Sequence, residues 1–106
     1  MQFVARCVAR HFELRVGLEP AEPELCRRIE GPAREYRRQR AASVPGRGGW
    51  FTAHFRRHPG SWATPACFFE YRPTFAEVVV TADDYRQDLA EFPRSARWTP
   101  DWLWSG

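Results

Sequence analysis

Two aromatic-rich segments, "WFTAHFRR" at 50–57 and "ACFFEYR" at 66–72, flank the short link "HPGSWATP". No other feature constrains the fold as much. Both segments are rich in β-favouring side chains, and Pro59-Gly60 in the link is a turn signal. A connection this short joins antiparallel neighbours, because parallel strands need a crossover of about a dozen residues or more. An antiparallel sheet is therefore expected. "VPGRGG" at 44–49 reads as the turn that delivers the first strand.

Alternation places Phe51, Ala53 and Phe55 on one face of that strand, and Trp50, Thr52, His54 and Arg56 on the other. The Phe-Ala-Phe face reads as core, joined from the second segment by Phe68 or Phe69 and by Tyr71. The same stretch invites comparison with the base-stacking strand of RNA-recognition domains. Laid on Arg47-Gly48, that pattern puts Gly49 where a stacking aromatic belongs and Trp50 where a small residue belongs. The core strand is the better account. Trp50 stays open between a core position and an exposed partner anchor.

The clearest helix is "TADDYRQDLAEFP", 81–93. Thr81 and Asp84 have capping-box spacing, and Asp83 and Asp84 suit the positive end of the helix dipole. Ala82, Tyr85, Leu89 and Phe92 form an apolar stripe, and Pro93 ends it. In the tail "RWTPDWLW", Thr99 is a cap and Pro100 a first helical residue. Upstream, "ELCRRIE" sets Leu25 and Ile29 on one helical face. "AREYRRQRAAS" resumes after Gly31-Pro32, as one kinked helix or two short ones. "LEPAEPE" is a connector, and "FAEVVVT" (75–81) is a short strand or an extended link. Residues 3–16 leave their type open. Phe3, Cys7, Val8, Phe12 and Val16 fit a helical stripe, while Glu13 to Leu18 alternate like a strand.

A chain of 106 residues with 43% hydrophobic content is expected to form one domain over 1–106. The class is α+β, a small antiparallel sheet flanked by helices. All sixteen basic residues are arginine. Residues 1–60 hold twelve of them against six acids; residues 61–106 hold four against seven. The basic half suits an acidic partner, protein or nucleic acid, or is simply a solvated arginine face. With the stacking pattern failing, only weak, salt-sensitive nucleic-acid binding is expected.

Cys7, Cys26 and Cys67 are odd in number and form no CxxC. That argues against a disulfide framework and for a reducing cytoplasm. Cys7 with His11, and His54 with His58, lie four apart but lack the paired spacing of a zinc site. No run has the length of a membrane helix. Nothing in the spacing of His58, Ser61 and Glu70 demands a catalytic triad. "GRGG" lacks the Lys-Ser/Thr of a phosphate-cradling loop. Neither an enzyme nor a cofactor is expected.

Trp98, Trp102 and Trp104 crowd the last residues, as a lid on the core or as a partner patch. The candidate partner contacts are Trp50, Trp62, Trp102 and Trp104, with Arg56 and Arg57 supplying charge steering.

From Arg34 to Leu103 the order of signals resembles actinobacterial relatives of the YezG-type immunity proteins. The resemblance is carried by Gly49-Trp50-Phe51 with Phe55, and by Tyr85, Asp88-Leu89, Phe92-Pro93-Arg94 and Pro100-Asp101-Trp102-Leu103. It implies an α+β fold, a cognate secreted toxin as partner, and neutralisation by stoichiometric binding without a catalytic residue.

Overall fold

A computed structural model describes residues 2–62 and 64–105, with only the backbone at Trp62, Trp104 and Ser105. The fold is α+β: an antiparallel sheet with helices packed on it. Strands β1 (Gln2–Val8) and β2 (His11–Val16) form a hairpin, and β3 (Glu19–Pro20) adds a short edge beside β2. Helix α1 (Pro23–Ser43) follows. Strand β4 (Thr52–His58) then pairs with β1. On its other side β4 meets β5 (Ser61–Trp62) and β6 (Ala66–Phe68) in turn, as the expected hairpin requires. The register slips between these two: Arg57 faces Trp62, whereas His54 faces Ala66. The return strand therefore carries one extra residue in between. Helix α2 (Ala82–Glu91), a short 3-10 turn (Ala96–Trp98) and α3 (Asp101–Ser105) complete the chain. The 75–81 segment makes no strand and bends at Ala76-Glu77.

Residues 3–16 resolve as the β1–β2 hairpin. Phe3, Ala5, Cys7 and Leu14 are buried on one face of the sheet with Ala33 of α1. Leu25, Cys26, Ile29, Ala33 and Tyr36 supply the helical stripe that covers that face. The same stripe explains why α1 runs unbroken through Gly31-Pro32. Packing on the sheet offsets the roughly 3 kcal/mol that an interior proline costs.

On the opposite face a second cluster joins Val8, Phe51, Tyr85 and Leu103, with Leu89 and Trp102 packed against it. Helix α2 begins with the expected capping box. Thr81 Oγ1 accepts from the Asp84 amide, and the Thr81 amide donates to Asp84 Oδ2 at 2.9 Å. Its apolar stripe faces inward, and so do two acids, Asp84 and Asp88.

One alternation differs from expectation. Trp50 packs in the α1-side cluster with Ala53, while Phe51 lies in the other. The chain bends at Phe51 before β4 begins, so the Phe51-Ala53-Phe55 face is broken. Both Trp50 and Phe51 are completely buried.

The β1–β2 turn is Ala9-Arg10, and Ala9 has φ +50°, a left-handed value unusual for a residue with a Cβ. Tertiary contacts hold it there. The Ala9 amide donates to Asp88 Oδ1, and its carbonyl accepts from Arg34 Nη1, both at 2.8 Å. Glycine removes the strain, so Ala9→Gly is expected to stabilise the protein by about 0.5–1 kcal/mol. A denaturant midpoint that falls would contradict this.

Candidate functional site

Most polar side chains inside the molecule are consumed by the fold itself. Arg37 and Asp88 form a two-pronged ion pair, with both N–H···O distances 2.8 Å. Arg37 Nε also donates to the Trp50 carbonyl at 2.7 Å. Burial pulls the Arg37 guanidinium down, but the charge and hydrogen bonds of Asp88 outweigh it, and the group ends above its ordinary value. Arg94 donates to the carbonyls of Gly49, Phe69 and Trp98 and lies over the Phe51 ring. Burial lowers its pKa to about 10, which leaves it charged at neutral pH. The "GRGG" turn is thus built for arginine. A Cβ on Gly48 would lie 2.5 Å from Arg94 Nε, and one on Gly49 2.7 Å from Arg37 Nε.

The sequence-derived partner contacts separate accordingly. Trp50 is fully buried and cannot touch a partner; its place in the α1-side core corrects that assignment. Trp102 is half-buried. It packs edge-on against Tyr85 and beside Phe51, donates Nε1 to the Glu70 carbonyl, and lies beneath Arg72. That arrangement is a lid on the second cluster. The side chains of Trp62 and Trp104 lie outside the described residues. Arg56 and Arg57 are exposed on β4.

His11 does not meet Cys7 as a ligand pair; its Nε2 lies 3.0 Å from Asp84 Oδ2. Among the described residues, no group of three or more ligating side chains gathers in one place. His58 and Ser61 face each other at the β4–β5 turn. Glu70 lies beyond β6, its carbonyl taken by Trp102.

What stays open is part of one sheet face. Helices α2 and α3 and the 75–80 segment cover the end that holds Val8, His11 and Phe51, and the Ala76 amide donates to Glu13 Oε1 at 2.8 Å. Cross-strand register lays out the rest. Arg15, Val4, His54 and Ala66 form one row; Glu13, Arg6, Thr52 and Phe68 form the next; Arg56 stands opposite Gln2. Arg6 and Arg15 share the carboxylate of Glu13 at 3.4 and 3.8 Å. Two arginines thus meet one acid across two strands, and Arg56 stands apart on the third. An aromatic rim borders this face: the His54 and Phe68 rings are 5.3 Å apart, Phe68 and Tyr71 6.0 Å, and Tyr71 is 70% exposed. Of this array only Arg56 was legible as a site residue. Arg6 and Arg15 belong to a segment whose element type the sequence left open, so their shared face had no local signal.

No family model, curated protein or solved structure matches the chain. No helix among the described residues is long and apolar enough to cross a membrane.

Proposed function

We propose that this chain is a stoichiometric binding protein that receives an acidic protein surface on its open sheet face, and that it serves as an immunity protein against a cognate secreted toxin. One observation carries the docking half of this reading: Arg6 and Arg15 flank the Glu13 carboxylate on neighbouring strands, and an exposed Arg56 stands on the next strand, with an exposed tyrosine at the rim. Rigid strands hold these charges in fixed register, which favours steering and specificity over raw affinity. The toxin half rests on the motif resemblance. In this reading the protein acts in the cytoplasm by occlusion, without catalysis and without a cofactor.

The test begins with the neighbouring reading frames: a secreted toxin encoded there is expected, and co-production with it should spare the cell. The double charge reversal Arg15→Glu/Arg56→Glu should keep its melting temperature. It should slow toxin association at least about tenfold at low salt and abolish protection. Wild-type association by that folded variant would overturn the docking face. A nucleic acid is the second occupant that the charge fits. Because Phe68 is half-covered and Trp50 is buried, its binding should be weak and vanish as salt rises.

A further inference from the structure

At the β6 edge of the sheet, a cavity of about 320 Å³ opens beside the end of α1. Arg40 reaches it from the last turn of α1, and Arg47 from the turn before β4. Two like charges at one cavity need an explanation. Neither forms an ion pair with any carboxylate of the described residues, and the Nε atoms of both are shut away from solvent without a hydrogen-bond partner. Arg47 Nη2 donates to the Arg40 carbonyl at 3.3 Å, which draws the two residues together. Burial, and then the charge of Arg40, push the Arg47 guanidinium below its ordinary value. Arg37 differs in reaching a carboxylate inside the fold, and Arg94, whose Nε is likewise unpartnered, differs in donating to three backbone carbonyls.

The walls are aromatic. The Arg47 guanidinium lies over the Phe69 ring at 4.0 Å, with Trp98 at 6.0 Å, and Phe68 and Tyr71 complete the lining. Cys67 also faces the cavity, its Sγ 3.9 Å from the Tyr36 hydroxyl. Glu70 stands on the lining, exposed and without an ion pair to either arginine. A planar oxyanion satisfies a guanidinium pair by charge-assisted hydrogen bonds. A flat apolar body attached to it fills the aromatic walls.

We propose that the Arg40–Arg47 cavity binds a carboxylate or phosphate carried on an aromatic group, as a ligand site that adjoins the open sheet face and shares Phe68 and Tyr71 with it. It does not depend on the immunity reading.

The probes are phenyl phosphate, benzoate and inorganic phosphate, titrated at constant ionic strength by calorimetry and thermal shift. Phenyl phosphate or benzoate should bind saturably and raise the melting temperature, and whichever binds tighter identifies the anion. Arg40→Gln and Arg47→Gln should each weaken that binding at least about tenfold, while Arg28→Gln, on an exposed part of α1, should not. Should Arg47→Gln fail to fold, Arg40→Gln alone carries the comparison. No saturable binding of either aromatic anion, or binding indifferent to a folded Arg40→Gln, would overturn the proposal. Equal affinity for inorganic phosphate would overturn its aromatic part.

Discussion

Asp88→Ala is expected to destabilise the protein by about 3–5 kcal/mol, a large share of what a domain this size possesses. The reason is what remains behind. Arg37, 2% exposed, would keep its charge in the interior with no carboxylate beside it. The Ala9 amide would lose its acceptor at the same time, in a turn already strained at φ +50°. Removing both charges differs from removing one. The double substitution Arg37→Met/Asp88→Leu replaces the pair with apolar volume, so its loss should be clearly smaller than that of Asp88→Ala. Urea denaturation of the two variants tests this. A loss below about 1 kcal/mol for Asp88→Ala would mean that the pair is not the joint between the two clusters.

The second large effect belongs to the turn before β4. Gly48→Ala is expected to cost about 3 kcal/mol or more, from two additive causes. Gly48 has φ +81°, where a Cβ is strained, and that Cβ would lie 2.5 Å from Arg94 Nε and 2.7 Å from its Cγ. Arg94 would have to leave the Gly49 and Phe69 carbonyls. Gly60→Ala separates the causes. Gly60 has φ +79° but nothing within 4 Å of its added Cβ, so it reports the backbone strain alone, about 1–2 kcal/mol. Equal losses for the two substitutions would show that Arg94 moves aside without cost.

Sequence and structure agree wherever the signal is local. The Thr81–Asp84 cap and the stop at Pro93 announce α2 because capping is settled within four residues. The β4–β6 hairpin shows in its aromatic runs and its Pro-Gly link. The β1–β2 hairpin was hidden because its turn contains neither glycine nor asparagine. Ala9 adopts its φ only through Asp88 and Arg34, 79 and 25 residues away. Arg37 sits in a run of arginines that reads as a solvated face; nothing nearby marks it as the buried one. Trp50 and Phe51 changed faces through a bend that the alternation rule does not contain. Of the partner assignments, Trp50 is the one this moves into the core. Large aromatic residues suit an interface and a core equally well by composition, and only the fold separates the two.

The arginine fastenings also bear on cooperativity. Segment 44–51 contains no strand, and such a segment ordinarily opens by itself many times for each global unfolding event. Here the Gly49 and Trp50 carbonyls are held by Arg94 and Arg37, side chains that come from the far end of the chain and from α1. The Phe51 amide bonds to β6, and its carbonyl bonds to Cys7 of β1. Freeing the segment therefore disrupts both helical layers and the sheet together. Segment 44–51 is expected to open only together with the rest of the domain, with its amides exchanging as slowly as those of the sheet.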